Sequence, residues 1–204
     1  MEVLEIKPLN SKEVKIYLVR NENWNLDIHN KKLLKNILEK EKFRFAIIDF
    51  NTNISKKSYE QPLSKFLSNH MIPYFHVDIP DHVKDYLDLE IFDKEVQIHE
   101  LYEEYEKILL DSNEKNTFKA ESLKNWIEML KQELVSKKRY FIASIRPKWI
   151  VKKVLDIANV IKMDMFSIIH FTHEEIISEL KSLFESYNIK VIKYDISKKH
   201  LKQF

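Results

Sequence analysis

The 204-residue sequence contains no glycine and no cysteine, and only 5 prolines. Each absence removes a class of chemistry. Without glycine there is no P-loop, no dinucleotide-binding fingerprint, no G-x-S-x-G nucleophile elbow and no kinase-type phosphate loop, since each needs backbone free of a side chain beside a ligand or in a strained turn. Ordinary usage, roughly 7%, would put about 14 glycines in a chain of this length. Lys, Ile, Asn, Phe and Tyr abound while Ala is scarce, the signature of an AT-rich coding sequence. Turns that need positive φ then fall to other residues, and Asn69 and Asn188, which follow helical stretches, are the expected positions.

Zero cysteine excludes disulfides, thiolate nucleophiles, zinc ribbons and iron–sulfur ligation. A divalent metal site would have to use His, Asp, Glu or Asn. Long apolar runs are missing as well: none approaches the roughly 18 residues needed to cross a bilayer, and MEVLEIKPLN lacks the pattern of a signal peptide. The expected address is cytoplasmic, with no membrane partner.

What is present suits a packed core, with 44% hydrophobic and 12% aromatic residues. Runs rich in β-branched and aromatic residues alternate with helical periodicity, which predicts strands at 14–19, 45–50, 74–79, 140–145, 166–171 and 189–194. The last run is the most polar and is expected at an edge. Helices fit at 28–42, 59–70, 80–110, 117–137, 147–162 and 173–187. Asp27, Ser58 with Gln61, and Thr172 with Glu175 offer helix-start signals, Pro147 suits a first helical position, and DSNEKNT (111–117) reads as a loop. The expectation is a single Rossmann-like three-layer α/β domain over 1–204, with a mostly parallel sheet of about six strands. A helical hairpin is inserted at 80–137, between core strands 3 and 4. Leu87, Ile91, Ile98, Leu101, Tyr105 and Ile108 form one stripe of it, and Leu123, Trp126, Ile127, Leu130 and Leu134 the other. No heptad pattern long enough for a coiled coil is expected.

The formal net charge is only +2, but it is unevenly spread. From Asp78 to Glu106 there are 11 acidic residues against Lys84 and Lys94, and from Lys137 to Lys153 there are 7 basic residues and no acidic one. Arg146 and Lys148 stand where a helix N-terminus favours negative charge, so they call for an anion. That anion is an internal carboxylate such as Asp49 or Asp78, a small anionic ligand, or a partner's acidic group.

Ligands of open α/β sheets bind at the carboxyl ends of the strands. There the predicted strands bring Asp49, Asn51 and Asn53; His76, Asp78, Asp81 and His82; Arg146 and Lys148; and His170 and His173. Asp49, Asp78, His170 and His173 have the chemical types to bind a divalent metal that activates water, with Arg146 beside a phosphoryl oxygen. The run IIDFNTNI (47–54) resembles the first strand of PIN-type nucleases, a resemblance that implies further acidic residues, for which Glu90 and Asp164 are candidates.

Two readings follow. One is a non-catalytic binding or scaffolding module with a protein partner or self-association, holding a small anion at the sheet edge. The alternative is a metal-assisted phosphoester hydrolase. Nucleic acid is not the expected partner, because the acidic helix opposes the basic run at Lys137, Lys138, Arg139, Arg146, Lys148, Lys152 and Lys153.

Overall fold

A computed structural model describes residues 6–9, 11–20, 28–49, 61–110 and 117–195. The chain divides into two compact units: unit 1 comprises 1–78 and 145–204, and unit 2 comprises 79–144.

Unit 1 is built on strands β1 (Glu13–Arg20), β2 (Phe43–Ile48), β3 (Tyr74–His76), β4 (Met165–Thr172) and β5 (Lys190–Asp195). They form one sheet in the order β3-β2-β4-β1-β5, every neighbouring pair parallel. Alternate side chains of a strand point to opposite faces, and both faces of the inner strands are apolar. Val14, Ile16, Leu18, Phe45, Ile47, Phe166 and Ile168 pack with helices α5 (Arg146–Val160) and α6 (Glu174–Ser186). Tyr17, Val19, Ala46, Ile48, Ile169 and Phe171 pack with α1 (Ile28–Lys40) and α2 (Pro62–Asn69). This is the Rossmann-like three-layer arrangement expected from the sequence, with five strands among the described residues instead of six and β5 at an edge.

The missing strand is the run 140–145. Its apolar residues are helical: α4 (Phe118–Tyr140) passes through a π-helical turn (Phe141–Ile145) directly into α5. A short apolar run carries no periodicity that separates strand from buried helix. Pro147 in the first turn of α5 lacks an N–H and would crowd the carbonyl four residues back, and the wider π turn relieves that position. The third predicted strand, expected in the core, is a three-residue edge with two exposed side chains.

Helix ends account for smaller differences. Gln61 and His173 are the N-caps of α2 and α6, and neither makes a side-chain capping hydrogen bond. The Thr172–Glu175 capping box therefore does not form, because β4 continues through Thr172. Asp27, Ser58 and residues 111–116 of the expected loop lie outside the described residues. At the other end of α5, Lys12 Nζ donates to the carbonyls of Ala158 (2.9 Å), Asn159 (2.8 Å) and Ile161 (2.5 Å), putting a cation where the last carbonyls lack partners.

Positive φ occurs at Asn188 as expected, but not at Asn69, which is still helical; Met71 holds it instead, at 55°. Met71 is 92% exposed, so its side chain repays none of the left-handed strain. Met71→Gly should raise stability by about 0.5–1 kcal/mol, the strain relieved less the added chain entropy. Urea unfolding of the two proteins checks this.

Glu41 joins three elements in unit 1: it accepts from Tyr17 Oη (2.7 Å) and from Ser167 Oγ (2.9 Å). These bonds hold its carboxyl below the ordinary range, while burial and then Glu41 push Tyr17 up to about 12. A depressed carboxylate contributes stability that is full above its unfolded pKa, about 4.3, and lost as pH falls through the folded value. Glu41→Gln should therefore flatten the acid limb of the stability-pH curve, measured by urea unfolding between about pH 3 and 6.

Unit 2 contains α3 (Asp81–Leu110) and α4, which run antiparallel. Cross-helix ion pairs set the register: Glu104 with Lys119 (2.9 Å), Lys94 with Glu133 (2.5 Å), Glu95 with Lys138 (2.8 Å), and Glu90 with Lys137. Ile108, Ala120 and Leu123, with Leu101 and Tyr105, form its apolar cluster. The covered positions run through Leu87, Ile91, Lys94, Ile98, Leu101, Tyr105 and Ile108 on α3, and through Ala120, Leu123, Ile127, Leu130, Leu134 and Lys137 on α4. Their spacing alternates between three and four, the heptad seam of a coiled-coil-like hairpin. The sequence reading missed it because Lys94 and Lys137 occupy seam positions. Trp126, assigned to the stripe, is instead exposed.

Candidate functional site

The carboxyl edge of the sheet gathers buried polar side chains on the face covered by α5 and α6. β2 and β4 are neighbours with Ile47 opposite His170, so Asp49, two residues on, stands diagonally beside His170 on the same face. His170 Nε2 lies 3.0 Å from Asp49 Oδ2, and both side chains are fully buried. A carboxylate can only accept, so Nε2 carries the hydrogen of this bond. Asp49 Oδ1, His170 Nδ1 and Thr172 Oγ1 are buried without a hydrogen-bond partner among the described residues.

Arg146 closes the other side of the cluster. Its Nε donates to Asp78 Oδ1 (3.1 Å) and its Nη2 to the carbonyl of Asp49, with the Arg146 and Asp78 side chains 14% and 8% exposed. The pair sits where the chain crosses between the units: unit 1 ends its first segment at Asp78 and resumes at Ile145. One ion pair thus joins the two ends of a 66-residue insertion, residues 79 to 144. It also accounts for Arg146 at the start of α5. The Asp78 carboxylate supplies the negative charge that the helix dipole favours.

Of the anion-binding pair, Arg146 is therefore answered inside the chain, while Lys148 is exposed. Of the four candidate metal ligands, Asp49 and His170 meet each other and Asp78 meets Arg146. His173 caps α6 by its backbone. Among the described residues no group of three or more His, Asp or Glu side chains is arranged to hold a metal ion. His76 ends β3 with its side chain exposed, and partial desolvation of the ring lowers its pKa. Asp81 and His82 belong to the first turn of α3 in unit 2. Asn51 and Asn53 lie outside the described residues.

The nuclease resemblance implies acidic residues beyond Asp49, and the candidate within unit 1 lies on the opposite edge of the sheet. Asp164 precedes β4 at the amino edge of a parallel sheet, opposite to Asp49, and Glu90 lies on α3 paired with Lys137. No family model matches the chain, and no curated protein or solved structure matches it either. Function has to be read from the residues themselves.

A second candidate lies on unit 2. Leu89, Phe92 and Val96 are spaced i, i+3, i+7 along α3, and at about 100° per residue they share an arc of about 60° opposite the seam. Leu89 is 62% and Phe92 61% exposed, and Val96 is also exposed. Scattered exposed apolar residues are ordinary, whereas three in a row on one face are a patch. This second stripe lies outside the one apolar stripe per helix expected from the sequence. Its signal was present in the same spacing rule. No helix among the described residues is long and apolar enough to cross a membrane.

Proposed function

We propose that the protein is a non-catalytic binding module that docks a protein partner on the outward face of α3. The carrying observation is the exposed stripe Leu89, Phe92 and Val96 on the helix face turned away from α4. Nothing in the hairpin's own packing needs these side chains, because the seam is filled from the other side. An apolar stripe at helical spacing is the form in which a helix presents anchors to a partner.

The sheet-edge cluster supports the same reading from the other direction. Asp49, His170, Arg146 and Asp78 are engaged with one another and with the backbone, and the central pair has no exposed atom surface for a substrate to reach. Their work is structural: they join β2 to β4 and fix the start of α5.

The test is co-purification of the full chain carrying Leu89→Ser and Phe92→Ser, compared with the unaltered protein. Exposed substitutions of this kind change stability by no more than about 0.5 kcal/mol. The variant should therefore keep its unfolding curve and lose the stoichiometric partner of the parent. Equal recovery of partner by both proteins would reject this face as the binding surface.

A further inference from the structure

We infer, resting on the docking role proposed for α3, that the occupant of this face is a basic amphipathic helix of another protein. Charge around the stripe carries the inference. Asp85, Asp88, Asp93 and Glu100 border Leu89, Phe92 and Val96; all four are exposed and none has an ion pair among the described residues. Glu103, on the same side, meets only His99 among the described residues, at 3.4 Å. From Asp85 to Glu103 the sequence contains one Lys or Arg, Lys94, and that side chain crosses the seam to Glu133.

The rim is therefore of one sign, and a partner that covers the stripe must bring the opposite one. Nucleic acid and anionic lipid are repelled by it. A second copy of the chain, docking this face against itself, would set like charges opposite each other in a two-fold interface. A helix with Leu-type anchors and flanking Lys or Arg meets both requirements: its apolar side covers the i, i+3, i+7 stripe and its cations reach the carboxylate rim. Rim charges act chiefly through association rate, so this binding should weaken with salt.

The probe is a fluorescent amphipathic helical peptide of about 18 residues built from Leu and Lys, long enough to hold helix on contact. Matched Leu/Glu and Ser/Lys peptides are the controls, and the full chain is titrated by anisotropy. The expected result is saturable binding of the Leu/Lys peptide alone. That affinity should fall at least about tenfold in Leu89→Ser/Phe92→Ser, in Asp85→Asn/Asp93→Asn/Glu100→Gln, and on raising salt from about 50 to 200 mM.

Equal binding of the Leu/Glu peptide, or no effect of the three charge substitutions, overturns the basic occupant while leaving the docking face in place. Binding of the Ser/Lys peptide as tight as that of Leu/Lys overturns it too, since charge alone would suffice. A dimer in sedimentation that Leu89→Ser/Phe92→Ser dissolves gives the face to a second copy and overturns the inference. Leu/Lys binding unchanged by Leu89→Ser/Phe92→Ser rejects the docking face itself.

Discussion

Replacing Arg146 with methionine should lower the stability of unit 1 by about 3 kcal/mol, because it leaves the Asp78 carboxylate buried without its guanidinium. The same change withdraws the Nη2 donor from the Asp49 carbonyl. Removing one partner of a buried pair costs far more than removing both, so Asp78→Leu combined with Arg146→Met should recover most of the loss. Urea unfolding of the four proteins gives the coupling energy, expected on the order of 2 kcal/mol. Additive effects would mean that the pair carries no more weight than a surface ion pair. Arg146→Lys should fall between, since a lysine keeps the charge but not the two-donor fork that reaches Asp78 and Asp49 together.

Leu123→Ala should unfold the hairpin while unit 1 keeps its structure. Leu123 is one of three buried residues in the apolar cluster of unit 2, with Ile108 and Ala120. Large-to-small changes at such sites cost about 2–5 kcal/mol, and two helices with so small an interior have little to spare. Hydrogen exchange should show lost protection throughout α3 and α4 with α6 and β4 unchanged. Uniform loss across both units would show that they unfold as one. The contrast with Leu89→Ser/Phe92→Ser is informative, since those side chains face solvent and should leave exchange unaltered.

Most of the architecture was legible in the sequence because its signals are periodic. Ile28–Lys40, Asp81–Leu110 and Glu174–Ser186 follow the 3.6 repeat closely, and the strands ending near Val19, Phe171 and Tyr194 follow the β-rich runs. Tyr140–Ile145 misled because a six-residue run that is apolar except for Ser144 fits either element, and only the flanking helices decide. The heptad seam was hidden by two lysines whose long stems serve seam positions while their ammonium groups reach Glu133 and Glu90. Asn69 lost its expected turn role because α2 runs through it, which moves the left-handed residue to Met71.

The candidate site was legible in its parts but not in its pairing. Arg146 stood out as a cation at a helix start, and Asp78 was one of two internal carboxylates proposed for it. Geometry chose between them: Asp78 takes the guanidinium, and Asp49 takes the His170 ring. Side-chain direction at a strand end depends on which strands are neighbours, and the order β3-β2-β4-β1-β5 has no local signature. Thr172 was read as a helix cap and is instead the last residue of β4, facing into the same cluster.

The central claim is that the outward face of α3 is where the protein meets its partner. Site-specific photo-crosslinking in cells tests it most directly, with the photoreactive side chain placed at Phe92 or, as control, at Val160, which is 81% exposed on α5. The predicted result is a discrete adduct from position 92, its cross-linked peptide rich in Lys or Arg, and none from position 160. Adducts from both positions alike, or from position 160 alone, would contradict it.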